Sequence, residues 1–136
     1  MNGKEIIAKN KEYTLFSWSI QNAISPIPMV KAEGVYFWDA DGKRYIDFSS
    51  QLMNLNIGHQ HPGVVKAIQE QAGRLAFAHP GMATEARGEA GSAIAEVAPG
   101  SLKKSFFCLG GAEANENAIK IARFYTGRHK ILARYR

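Results

Sequence analysis

The stretch "FFCLGGAEANENAIKIARFYTG", residues 106–127, runs from an apolar segment through two glycines into a long helical pattern. Ala114, Ala118, Ile121, Ala122 and Tyr125 recur at helical spacing, and Gly127 stands where a helix stops. The spacing predicts a buried strand over 104–109, a tight turn, and a helix over 113–126 with those five residues inward. The first amides of such a helix have no partners inside it, and its dipole favours an anion. Gly110, Gly111 and the small Ala112 would let backbone approach an oxyanion closely. A phosphate cradle and a plain strand-to-helix turn with acids at the helix start both fit this pattern. Two nucleotide motifs do not: Glu113 and Ala114 stand where a P-loop needs Lys-Ser/Thr, and a third glycine of the dinucleotide fingerprint is missing.

On the downstream side, Lys130–Tyr135 reads as another strand, which makes the end of the chain a strand–helix–strand crossover of a parallel sheet. Upstream, Pro62 suits a first helical turn, and Val64, Val65, Ile68, Ala72 and Leu75 form one face with Lys66, Glu70 and Arg74 outside. Thr84 is an expected N-cap for a helix that buries Ala86, Ala90, Ile94 and Val97 and stops at Pro99-Gly100. Residues 30–50 alternate around turn signals at Glu33-Gly34 and Asp41-Gly42, the pattern of an antiparallel meander. The first dozen residues suit a short helix, and "SPIPM" (25–29) breaks any helix after it. The fold class is therefore α/β: an antiparallel meander, then helix, helix, strand, helix, strand. Two regions are expected, 1–57 with the meander and 58–136 opening a larger domain.

Composition narrows the function. The 136 residues carry a formal net charge of +5. Lys120, Arg123, Arg128, Lys130, Arg134 and Arg136 gather at the end with no acid among them, which suits a helix C-terminus. They are not interleaved with aromatics on one platform, so no nucleic-acid role is expected. The apolar runs are too short for a membrane span, and the polar N-terminus is no signal peptide. The single Cys108 rules out an internal disulfide and suggests the cytoplasm; within its apolar run it reads as a small core residue. His59 and His61 have no accompanying acid or thiol cluster and read as a polar turn, with no metal expected. "KILARYR" ends as a strand in progress, so the chain is expected to be a piece of a longer protein.

Three motifs in order carry a resemblance: "AEGVYFWDADGKRYIDFSS", "NIGHQHPGVVKAI" and "FFCLGGAEANENAIKIAR". From about Phe16 onward the chain resembles the N-terminal part of the class III aminotransferases, fold type I enzymes that use pyridoxal 5'-phosphate. Among them it is most similar to the omega-amino acid and taurine–pyruvate type. The resemblance implies that the amides of Gly111 and Ala112 hold the cofactor phosphate, with Gly110 giving room. Gly110 and Ala112 stand where the family often has serines, so hydroxyl contacts there are lost. Glu113, beside a dianion, is expected to turn away and bond backbone. The resemblance also places Leu52 and Met53, and with them Phe16 and Trp18, on the wall of the amino-donor pocket; a core role stays open for all four. Met53 stands where some amine-active members carry a large aromatic.

The resemblance further implies that the catalytic groups are not in this chain. The lysine that forms a Schiff base with the cofactor, the acid that pairs with its ring nitrogen and the Tyr-His-Gly motif all lie further on in the family. Lys120 and Lys130 are not substitutes. The implied reaction of the whole protein moves an amino group from an amino acid or omega-amino donor to a keto acid such as pyruvate or 2-oxoglutarate, in a homodimer. An aminomutase of the same family and a truncated, non-catalytic dimerisation module remain open as alternatives.

Overall fold

Asn2 opens the first helix, α1 (Gly3–Tyr13), through a reciprocal cap. Its side chain accepts from the Glu5 amide at 3.0 Å, and the Glu5 carboxylate accepts from the Asn2 amide at 3.0 Å. The computed structural model describes residues 1–134. It divides into two compact units, Met1–Phe77 and Ala78–Arg136.

In the first unit, three strands form an antiparallel sheet in the order β1 (Met29–Glu33), β2 (Tyr36–Asp39), β3 (Arg44–Ile46). This is the meander expected over 30–50. Lys31 pairs with Trp38 and Glu33 with Tyr36; Phe37 pairs with Tyr45 and Trp38 with Arg44. Strand alternation sends Phe37 and Tyr45 to one face, where their rings stack 4.9 Å apart. Tyr36 and Trp38 take the other face, with the Arg44 guanidinium 4.5 Å from the Tyr36 ring and the Lys31 ammonium 4.7 Å from the Trp38 ring. Asp39 ties the Asp41-Gly42 turn. One carboxylate oxygen accepts from the amides of Asp41 and Lys43, and the other accepts from the Tyr45 hydroxyl at 2.8 Å. The Tyr45 bond, before the two amides, holds the Asp39 carboxyl below its usual range, and the same bond pushes the Tyr45 phenol up.

After β3 comes a single helical turn, α2 (Ser50–Met53), and then α3 (Pro62–Arg74) with Pro62 in its first turn. The stretch between them returns to the sheet. Gly34 and His59 exchange both backbone hydrogen bonds, at 3.0 and 2.7 Å. Gly58 makes that approach possible: its φ is +87°, and a Cβ there would lie 3.0 Å from the Gly34 carbonyl oxygen.

The second unit holds α4 (Glu85–Val97) and α5 (Gly111–Thr126). Thr84 caps α4 as expected, accepting from the Arg87 amide at 3.4 Å. Gly127 ends α5 in the left-handed region with φ 66°. The runs 104–109 and 130–134, expected as strands, make no ladder here. A strand exists through its partner, and neither run has one among the described residues. Tyr135, the last residue of the second run, lies outside them.

The faces expected to be buried are also open. Tyr125 is 90% exposed, Val97 84% and Ile68 63%, and no apolar side chain is fully buried among the described residues. The apolar stripes on α3, α4 and α5 are in place at the predicted spacing, but burial depends on what packs against a stripe.

Candidate functional site

The turn expected to hold an anion begins at Gly110, the N-cap of α5. Ala114 donates its amide to the Gly110 carbonyl at 3.0 Å, the first bond of the helix. The amides of Gly111, Ala112 and Glu113 precede that bond and make no hydrogen bond among the described residues. No side chain caps them, and a Cβ built on Gly110 or Gly111 meets nothing within 4 Å. Glu113 turns back as expected, its carboxylate accepting from the Leu109 amide at 2.9 Å. That bond directs the one acid of the first turn away from the free amides. Asn117 secures the turn from behind, donating to the Glu113 carbonyl at 3.0 Å and reaching the Cys108 sulfur at 3.7 Å. The residues fit a phosphate group: two or three unpaired donors, the positive end of a helix dipole and no side chain in the way.

The four expected pocket-wall residues fall in the first unit, and the three residues expected at the phosphate fall in the second. Phe16 lies in the loop after α1, where its amide donates to the Gln21 side-chain oxygen at 2.9 Å and its carbonyl accepts from Gln21 Nε2 at 2.7 Å. Trp18 has φ 56° and is 91% exposed. Leu52 and Met53 sit in α2, and both are exposed. No hydrogen bond joins Phe16 or Trp18 to Leu52 or Met53.

α2 is left-handed. Ser50, Gln51, Leu52 and Met53 have φ of 47°, 48°, 59° and 64°, and none is glycine. Such a conformation costs roughly 1–2 kcal/mol per residue, because Cβ crowds the following carbonyl. Asp47 holds it. One carboxylate oxygen accepts from the Ser49 hydroxyl at 3.1 Å and the Gln51 amide at 3.3 Å. The other accepts from Gln51 Nε2 at 3.0 Å and lies 2.8 Å from His59 Nε2. The Asp47 and His59 side chains are only 4% and 7% exposed.

The Gln51 side chain first, then His59, the Gln51 amide and Ser49, hold the Asp47 carboxyl down at about 2 against burial, which pushes it up. The ionised carboxylate is an acceptor only, so His59 Nε2 donates the proton between them. The native state thus binds the Asp47 proton more weakly than the unfolded chain does. Stability from this group is complete above pH 3.8, the ordinary carboxyl value, and drains away as pH falls toward about 2. An NMR titration of the Asp47 carboxyl carbon is expected to show its midpoint near the lower figure. A midpoint near the ordinary value would mean the cluster does not hold together in solution.

Sequence reasoning took His59 for part of a polar turn and did not single out Asp47. Their separation of 12 residues carries no local signal. The clue was chemical: an acid directly after Arg44–Ile46 needs a partner wherever the fold shields it. Among the described residues no three His, Cys, Asp or Glu side chains gather into a metal-binding group. No helix among them is long and apolar enough to cross a membrane.

Comparison with known proteins adds to this geometry. Residues 19–135 match the family model described as aminotransferase class-III. The acetylornithine aminotransferase of Methanopyrus kandleri is 42% identical over 108 residues, covering 79% of this chain and 28% of the relative. A probable 4-aminobutyrate aminotransferase of Bacillus subtilis is 45% identical, covering 76% of this chain and 24% of the relative. The crystal structure of taurine:2-oxoglutarate aminotransferase from Bifidobacterium kashiwanohense, in complex with PLP and glutamate, superposes with a TM-score of 0.88 at 43% identity. It covers 94% of this chain and 29% of that one. The chain therefore spans less than a third of the length of these relatives.

Proposed function

The chain belongs to the class III aminotransferases, and from that premise we propose that it forms the N-terminal part of a pyridoxal-phosphate-dependent transaminase. The observation that carries this reading is the start of α5, where the amides of Gly111 and Ala112 are unbonded, a Cβ on Gly110 or Gly111 meets nothing within 4 Å, and the neighbouring carboxylate is turned away. In this reading those two amides bind the cofactor phosphate, and Gly110 leaves them accessible. The cofactor, when bound, supplies an electron sink for charge that develops at the substrate carbon. Glu113 stays on the Leu109 amide and off the dianion. Leu52 and Met53, with Phe16 and Trp18, wall the donor side and orient the amine. Residues 1–57 belong to the small domain and 58–136 open the large one. The open apolar stripes of α3, α4 and α5 are covered by the remainder of the protein, which works as a cytoplasmic homodimer.

The relatives are named for acetylornithine, 4-aminobutyrate and taurine. All three donors carry a primary amine on an unbranched carbon, away from an anionic group. That is the donor class we assign, with pyruvate or 2-oxoglutarate as acceptor. The test is to mix the complete enzyme with each donor and each acceptor and to follow alanine or glutamate. Amino-group transfer is expected for at least one pairing. A cofactor-loaded enzyme that transfers from none of them, or that isomerises a donor without any acceptor, would overturn the reading.

A further inference from the structure

Four consecutive left-handed residues are costly to keep, and here they support no core: Leu52 and Met53 are 60% and 78% exposed. Strain of this kind persists only where surrounding structure imposes it, and it gathers at functional sites. Asp47 grips the turn through Ser49 and through both the amide and the side chain of Gln51. The turn closes on itself through Met53 and Asn54 amides donating to the Ser49 and Ser50 carbonyls, both at 2.9 Å. Asn54 adds a side-chain bond to the Gln51 carbonyl at 2.9 Å. Asp47 is anchored in turn: its amide donates to the Val35 carbonyl at 2.9 Å, and its carboxylate meets His59. His59 is fixed to Gly34 by two backbone bonds. The chain of contacts runs from the rigid meander, through a buried acid–imidazole pair, to two exposed apolar side chains.

We propose that Asp47 and His59 are positioning residues for donor selection: the pair holds Ser50–Met53 left-handed, and that turn sets where Leu52 and Met53 stand. This rests on the assignment of Leu52 and Met53 to the donor wall. Leu52 and Met53 are largely exposed, at 60% and 78%, so their placement follows the backbone of α2. Releasing Asp47 lets Gln51 and Leu52 return to the right-handed or extended region, which carries both side chains to new positions.

The test uses Asp47→Asn and His59→Gln in the complete enzyme, with taurine and acetylornithine as donors of different length. The ratio of their kcat/KM values is expected to shift on the order of tenfold, the scale on which small changes in pocket shape discriminate. Cofactor affinity is expected to stay unchanged. Adding Gln51→Gly to Asp47→Asn is expected to return the ratio toward wild type, because glycine takes the left-handed region without strain. A loss shared equally by both donors would reduce the pair to a structural staple and overturn the proposal. Backbone chemical shifts of Gln51 and Leu52 give a readout independent of activity. If they do not move in either variant, the pair does not control the turn and the inference fails. A wild-type enzyme with no transfer activity, in which Asp47→Asn still moves these shifts, would refute the transaminase reading and leave control of the turn standing.

Discussion

Gly111→Val is expected to strip the complete enzyme of most of its bound cofactor. The position allows a clean test, because a Cβ there meets nothing within 4 Å and α5 is closed by bonds that do not involve that side chain. Helix formation is therefore expected to survive, which far-ultraviolet circular dichroism would confirm. What valine changes is access. Its branched side chain covers the amides of Gly111 and Ala112, the donors assigned to the phosphate. A hydrogen bond to a charged group contributes about 1.5–3 kcal/mol. Losing one should raise the dissociation constant on the order of 10- to 100-fold. Titration of the apoenzyme with pyridoxal 5'-phosphate, followed by absorbance, measures this directly. Unchanged affinity would remove Gly111 from the phosphate site.

Much of this arrangement was readable from local chemistry. Asp41-Gly42 between aromatic and β-branched residues, with a turn at Glu33-Gly34 before it, marked the meander, because few residues accept the turn conformations that such hairpins need. Thr84, Pro62 and Gly127 marked helix ends through caps and proline geometry, all of which act within four residues. Glu113 was expected to leave the anion site, since a carboxylate beside a dianion is unfavourable, and the Leu109 amide takes it. The long-range features were not readable in the same way. Nothing near Asp47 in sequence announces His59, and nothing in "SSQLM" announces four left-handed residues in a turn whose side-chain bonds run back to Asp47. The runs at 104–109 and 130–134 show the opposite limit. Their sequences are suited to a sheet, but a ladder needs a neighbour, and these runs have none among the described residues.

The chain of 136 residues by itself is expected to catalyse no amino transfer above a free-cofactor control. A transaminase needs a lysine whose amine is a competent nucleophile, which usually means desolvation or a neighbouring cation. Every lysine in this chain is exposed to solvent. Lys31 pairs with Glu33 at 3.5 Å and Lys66 with Glu70 at 3.7 Å. The mechanism also needs a carboxylate free to face the cofactor ring nitrogen. The two well-shielded acids are already engaged. Asp39 spends its oxygens on Tyr45 and two amides, and Asp47 on Ser49, Gln51 and His59. Diverting either would dismantle the Asp41-Gly42 turn or release α2. What remains is the start of α5, proposed above to hold the cofactor phosphate, and that contact alone would not activate a bound cofactor. The purified chain would be incubated with pyridoxal 5'-phosphate, 4-aminobutyrate and pyruvate, and alanine measured against cofactor without protein. Alanine at the level of that control is the expected result. An excess over it would mean that one of these exposed lysines is activated in a way its surroundings do not reveal, and lysine-to-arginine variants would then identify which.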